Sequence, residues 1–501
     1  MQADSGKNQN YPKVISVLLI LFLLTNLAFA LLQVYNSPYD HDEFQHVHIA
    51  WNIFNDKIIY KDFFEHHGPV FPLLNGLLFD LFDLKPALNT LVFFRLVSFT
   101  LLTIMIFLVY LISTEYFKTK PAGLFSAAIF SGLLFIREAA TEIRPDVIQN
   151  VFWLAGIYLL LINLRKNKKI ITYSAGVLLG ASFMTNAKAG LGIAAVYIFF
   201  LIFFLRYKTE HKKIVPELIT LFSGNVTAFV IVALYFYLNN SFKEFFFYNY
   251  EFNFIALKEY HSRNLREYAG ILLKQQPVFV LAALTAMIIT LKKLFTKNVD
   301  EESRKVLFVF VISALTSATI FLGLYKQQYL IFLPLLCVVI YQLIMYLSTY
   351  NRQNLNHRLL KSITIVLLTG SLLWASISET YFVPSEEQKQ QNNLTQFILD
   401  KSERTEPVLF LWNNYGGYMF NEDVQFFWLE NEGFKPLFNK ISGYDVFGNN
   451  LIEILKKKNV RFLVTQQKHL KAVLSPGAFE FILQNYNNEN EFNGRLWIRN
   501  Q

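Results

Sequence analysis

Residues 14–34 read VISVLLILFLLTNLAFALLQV, and residues 37–82 read SPYDHDEFQHVHIAWNIFNDKIIYKDFFEHHGPVFPLLNGLLFDLF. The first stretch has 21 residues and no ionisable side chain. At about 1.5 Å per residue, a helix of this length crosses the roughly 30 Å of bilayer hydrocarbon. Backbone polar groups find no partner in hydrocarbon except within a helix or a closed barrel, so the run reads as a spanning helix. Ala28-Phe29-Ala30 resembles a signal cleavage site. The apolar pattern continues from Leu31 to Val34, which favours an uncleaved helix, and either reading leaves residue 36 outside.

The pattern recurs along the chain. Of 501 residues, 53% are hydrophobic and 17% charged, against about 25% charged in soluble domains. Further candidate spans are 90–112, 121–136, 146–164, 170–186, 189–205, 214–238, 276–295, 305–324, 328–348 and 360–380, about eleven in all. Val70 to Phe82 is too short to span and follows Gly68-Pro69, which reads as a re-entrant or interfacial helix. The fold class is an α-helical polytopic membrane protein. Cys337, the one cysteine, lies in an apolar run and reads as an inert core residue.

The net charge of +9 would suggest nucleic acid in a soluble protein. Here the cations gather in short loops: Lys118 and Lys120, Arg165 to Lys169, Arg206 to Lys213, Lys292 to Lys305, and Arg352 to Lys361. The positive-inside rule places these in the cytoplasm of an inner or plasma membrane. No nucleic-acid partner is expected. The opposite face then receives residues 35–89, 137–145, 239–275, the turn near 325–328 and everything after 380.

Two regions follow: a transmembrane catalytic domain, 1–380, with its outer loop 35–89, and a small extracytoplasmic α/β domain, 381–501. Residues 408–412, 424–428, 461–465 and 495–498 read as strands, 451–457 and 470–474 as helical pieces, and Gly416-Gly417 and Asn493-Gly494 as turns.

The loop 37–82 is the richest in chemistry. Asp42 and Glu43 precede Gln45, His48, Ile49 and Asn52 at helical spacing, which predicts an amphipathic interfacial helix with acids at its positive end. Asp146, after Arg144-Pro145, opens the fourth span, where proline suits a first turn. Taken singly, Asp40, Asp42, Glu43 and Asp146 read as solvated acids or helix caps. Together they bring carboxylates from distant sequence to one membrane face, where charge is costly without a task. Arg137, Arg144, Lys188 and Lys326 are the cations nearest to spans on that face. Each could grip a lipid phosphate or simply snorkel. His41, His46, His48, His66 and His67 cluster, yet no His-Glu-x-x-His or Cys-x-x-Cys pattern of a firm zinc site is present. No metal site is assigned and no cofactor expected, although a divalent ion is compatible.

The Asp42-Glu43 pair, followed by His66-His67-Gly68-Pro69, resembles the membrane glycosyltransferases of the C-type fold. The resemblance points to the protein O-mannosyltransferase and aminoarabinose transferase group, with its bacterial RgtA/B/C/D-like branch. Arg144-Pro145-Asp146, the turn Asn186-Ala187-Lys188 and Lys326 to Pro334 (KQQYLIFLP, including Tyr329) are similar to segments of the same group. It covers roughly residues 14–350. Gly68-Pro69-Val70 departs from the Pro-Pro-Leu of many relatives.

The resemblance implies a polyprenyl-phosphate-linked sugar donor, inversion at the anomeric carbon, and Asp42 as general base. Glu43 and Asp146 are then expected to orient the acceptor or a basic partner. Lys326, Lys188, Arg144, His66, His67 and Tyr329 would hold the donor phosphate and sugar. The acceptor would be a hydroxyl of a lipid, glycan or protein, and the transferred group a hexose or pentose. The competing classes are a transporter or flippase of lipid-linked glycans, and a polymerase using diphosphate-linked donors. Transporters place ionisable groups near the bilayer midplane on repeated, broken helices; the acids here lie at one face.

Overall fold

A computed structural model describes residues 13–206, 211–259, 270, 272–296, 301–317, 329–349, 355–411, 416–428, 434–489 and 492–500. The membrane part runs α1 (Lys13–Asn36), α2 (His41–Phe54), α3 (Val70–Leu81), α4 (Leu88–Phe117), α5 (Lys120–Ser131), α6 (Leu134–Thr141), α7 (Pro145–Lys166), α8 (Lys169–Thr185), α9 (Ala189–Arg206) and α10 (His211–Leu238). A short α11 (Phe242–Phe246), a π-helical turn (Phe247–Glu251) and α12 (Phe252–Glu259) follow. Then come α13 (Pro277–Thr296), α14 (Glu301–Ser317), α15 (Tyr329–Thr349) and α16 (Leu355–Ser378).

Among the described residues, eight helices are long and apolar enough to cross a membrane. Leu18, Leu21 and Leu24 on α1, and Ile219, Phe222 and Ile231 on α10, face outward. Such side chains are stable outside only where the surrounding medium is itself apolar. The interior is filled by a continuous apolar cluster that includes Trp153, Phe199, Phe308 and Cys337.

The expected single span 121–136 is two helices. Leu133 turns extended between α5 and α6, and a Cβ on Gly132 would come within 2.8 Å of Phe22 on α1. The break falls at Ser131-Gly132, a turn signal inside the apolar run, and the close packing leaves room there only for glycine. The 12-residue α3 is the short apolar helix expected after Gly68-Pro69.

The C-terminal segment contains α17 (Glu386–Lys401), β1 (Pro407–Phe410), β2 (Glu422–Asp423), α18 (Lys435–Ser442), α19 (Asn449–Lys457), β3 (Phe462–Val464), α20 (Gln467–Val473), α21 (Pro476–Asn485), β4 (Tyr486–Glu489) and β5 (Leu496–Arg499). The sheet order is β2-β1-β3-β5-β4. β1 runs parallel to β2 and β3, and β5 antiparallel to β3 and β4. The expected strand 424–428 is absent, since pairing stops at Asp423. Phe426 instead accepts a hydrogen bond from the Phe64 amide at 3.0 Å, and the Trp428 indole donates to the Phe64 carbonyl at 2.9 Å. β4 was not foreseen, because Tyr486 to Glu489 carries only one apolar residue.

Those two bonds reflect a larger fact. Tyr39, Phe44, Phe63 and Phe64 of the first loop share one apolar cluster with Leu409, Phe427, Phe438 and Leu463. α2 therefore does not lie in an interface; it is buried beneath the C-terminal sheet. Its polar stripe is matched there: His48 meets Asp423 at 2.7 Å and the Met419 carbonyl at 3.0 Å, and Asn52 reaches Asp423 at 3.1 Å.

Candidate active site

The N-terminus of α2 is built by a capping box. Asp40 accepts from the Asp42 amide at 3.0 Å, and Glu43 accepts from the Asp40 amide at 2.9 Å. This satisfies two amides that a helix start leaves without partners. The Asp42 side chain takes no part in the cap, so its carboxylate faces other groups.

Glu43 and Asp42 have opposite surroundings. Glu43 is wholly buried, its two oxygens 2.7 Å from Nε and Nη2 of Arg95 on α4. It also accepts from the Ile143 amide at 3.2 Å. The remaining Arg95 donors reach the carbonyls of Val34, Ser37 and Pro38, and its guanidinium lies 4.0 Å over the Tyr39 ring. One buried, fully matched pair thus ties the end of α1, the start of α2, α4 and the loop before α7. A lone cation inside an apolar span is a signal that a partner exists, but the sequence around Arg95 does not name it.

Asp42 keeps 24% side-chain exposure. It pairs with Arg144 and with the His41 ring at 2.9 Å. Burial alone would raise its pKa, but the Arg144 guanidinium and the His41 ring overcome this and hold it well below the usual carboxylate range. Arg144 gathers three acids: Asp40 at 2.9 Å, Asp42 and Glu142. Asp146, in the first turn of α7, lies 3.5 Å from the Lys188 ammonium and 3.3 Å from the Asn186 amide. The Asn186-Ala187-Lys188 turn thereby faces the head of α7.

A third group comes from Glu65, His66 and His67. Glu65, almost fully buried, accepts from the amides of His66 and His67 at 2.7 Å and from the His67 ring at 2.6 Å. Burial would raise its carboxyl, but the His67 ring, hydrogen-bonded to it, and the other histidines hold it far below the ordinary value. Burial would also lower His67, yet Glu65 and Asp42 raise it above the ordinary histidine value. Burial, followed by the His67 charge, drives His46 down to about 4 and His66 down to about 3, so both are neutral. The fields of Asp42 and Lys188 both reach His67, so carboxylates, cations and imidazoles form one electrostatic cluster. A glycine at position 68 is required there, since a Cβ would stand 2.4 Å from the Met184 carbonyl at the end of α8.

Sequence reading named Asp42, Glu43, Asp146, Arg144, Lys188, His66 and His67, and each stands at this end of the bundle. Tyr329 is packed against Phe135 and Phe332. Lys326 lies outside the described residues. Glu65 and Arg95 were missed. The signal for Glu65 was available: an acid directly before two histidines.

Two groups bring ligand atoms within 4.8 Å of one another: Glu65, His66 and His67, and Asp40, His41 and Asp42. In the second, both carboxylates are already paired with Arg144. In the first, the Glu65 Oε2 and His66 Nδ1 atoms are buried without a hydrogen-bond partner, so this donor set fits a divalent ion better. An apolar cavity of about 210 Å³ opens beside the cluster, between Phe71 and Leu78 of α3, Val97 and Leu101 of α4, and Ile143 and Ile148.

Comparison with known proteins then places this geometry. Residues 66–239 match the family described as dolichyl-phosphate-mannose-protein mannosyltransferase. No curated protein sequence matches the chain. Apo ArnT from Cupriavidus metallidurans superposes with a TM-score of 0.60 at 12% identity, over 94% of this chain and 95% of that one. ArnT bound to undecaprenyl phosphate gives 0.54 at 13% identity, over 82% and 85%. The oligosaccharyltransferase AglB from Archaeoglobus fulgidus, with an inhibitory peptide and a dolichol-phosphate, gives 0.58 at 11% identity, over 97% and 74%. The solved structures supply the architecture and the family match supplies the enzyme class: the chain is a membrane glycosyltransferase of the C-type fold.

Proposed function

We propose that this enzyme moves a hexose or pentose from a polyprenyl-phosphate carrier to a hydroxyl of a lipid, glycan or protein, at the outer membrane face and with inversion. The observation that carries this reading is Asp42: a partly exposed carboxylate, held charged, among cations that can receive a phosphate. The carrier bound to ArnT and the dolichol-phosphate bound to AglB support the donor class.

The donor's tail lies in the apolar cavity between α3 and α4, which ends at Ile143, one residue from Arg144. Its phosphate draws Arg144 and Lys188, with Lys326 as a further cation. His66 and His67 contact the donor. Negative charge builds on the leaving phosphate as the glycosidic bond breaks, and cations already in place stabilise it. As Arg144 turns to the phosphate, Asp42 loses its strongest partner and its proton affinity rises. It then accepts the proton of the acceptor hydroxyl as the new bond forms. A single displacement needs one base, which separates it from paired-carboxylate retaining chemistry. Glu43 positions the base by holding Arg95, and Asp146 orients Lys188.

The test presents matched monophosphate- and diphosphate-linked polyprenyl sugars to purified enzyme. Turnover of the monophosphate donor alone is expected; exclusive use of the diphosphate donor would replace this reading with a polymerase.

The His67 ring adds a pH signature. Its pKa is raised, so its charge is complete below about 6.5 and is lost as pH rises through the raised value. Donor KM should therefore climb with pH in that upper window. In His67→Gln it should be high and flat there. An unchanged KM–pH profile in the variant would remove His67 from donor binding.

A further inference from the structure

Arg137 on α6 is 1% exposed, as deeply buried as Arg95. The two guanidiniums differ in what meets them. On Arg95, the edge formed by Nε and Nη2 is filled by the Glu43 carboxylate, both oxygens at 2.7 Å. On Arg137, Nη1 donates to the Ser376 carbonyl of α16 at 3.0 Å, while Nε and Nη2 meet no acceptor. Glu138 and Glu379 reach it only through space. A buried guanidinium is stable when an anion or a set of acceptors matches it, and its side-on fork fits two oxygens of a carboxylate or phosphate.

The surroundings say which anion. Ser376 is near the end of α16, between Trp374, which is 75% exposed, and Tyr381 and Phe382, which are also exposed. Phe382 packs edge-on against Phe29 of α1, and Tyr35, nearer the end of that helix, is exposed as well. Outward aromatic rings at helix ends mark the depth of lipid headgroups. The carbonyl that meets Arg137 belongs to the last turn of a helix, the part that frays first.

We infer that Arg137 seats the phosphate of an outer-leaflet lipid between α6 and α16, through the Nε–Nη2 edge, with the acyl chains along α1 and α16. The site is separate from the Asp42 cluster and does not depend on the donor assignment. The shared chemistry is a lipid phosphate, and two sources carry it: a bilayer phospholipid and a polyprenyl phosphate.

The experiment places full-length enzyme in nanodiscs and measures retained lipid by native mass spectrometry. The wild type is expected to hold one phosphatidylglycerol more tightly than a neutral diacyl glycolipid. Arg137→Gln should weaken that binding by about tenfold, the loss of about 1.4 kcal/mol, and Arg137→Lys should retain part of it. Undecaprenyl phosphate added to wild type either displaces phosphatidylglycerol, which makes the carrier the occupant, or leaves it in place, which assigns the site to a bilayer lipid. Equal retention by wild type and Arg137→Gln overturns the proposal. So does wild-type binding of the neutral glycolipid as tight as that of phosphatidylglycerol, a comparison that needs no variant.

Discussion

Asp42→Asn is expected to fold and insert normally and to lose transfer by about 10²–10⁴-fold, the range for removal of a general acid–base group. The fold should survive because the Asp42 side chain contributes nothing to the α2 cap, which uses its backbone amide and the side chains of Asp40 and Glu43. Arg144 keeps Asp40 and Glu142 when Asp42 loses its charge, so no buried cation is stranded. An asparagine fills the same space but cannot take the acceptor's proton. Single-turnover transfer from a polyprenyl-phosphate sugar, with thermal unfolding as control, measures this. A wild-type rate with an unchanged melting curve would discard Asp42 as the base.

The second large effect is on stability. Arg95→Ala leaves the Glu43 carboxylate wholly buried beside the Ile143 amide and without its cation. Breaking such a pair from one side costs about 3–5 kcal/mol. Three carbonyls at the start of the outer loop also lose their donor. The melting temperature in detergent should fall sharply. Arg95→Lys should recover little, since one ammonium cannot fork across the carboxylate and span the carbonyls. The double variant Arg95→Met/Glu43→Gln should be more stable than Arg95→Ala, because no buried charge is then left alone. A wild-type melting temperature for Arg95→Ala would show that this pair does not hold the loop.

Both predictions turn on a distinction that adjacent letters conceal. Asp42 and Glu43 are neighbours with the same charge, but a helix points successive side chains about 100° apart. One turns toward Arg144 and solvent, the other into the bundle toward Arg95. The sequence reading, with Asp42 as base and Glu43 orienting a partner, rested on charge and position and held no information on direction. Arg95 poses a related limit: a single cation in an apolar span implies a partner, and only packing shows that the partner is Glu43. The membrane class, the long spans, the short α3 and the acid-histidine loop were legible, because each rests on local composition and length. The break between α5 and α6 had a local sign in Ser131-Gly132, but only the fold shows Phe22 of α1 packed against that glycine.

By itself the sequence determined that the chain crosses a membrane, and that carboxylates, histidines and cations gather at one end of its helices. Hydrocarbon forces that outcome wherever long apolar runs alternate with charged loops. Only the tertiary structure decided which acid stays accessible, which is locked to Arg95, and that α2 lies beneath the C-terminal sheet through His48 and Asp423. Those outcomes depend on contacts between residues up to 375 positions apart, and burial and pairing at that range belong to the packed chain, not to any stretch of it.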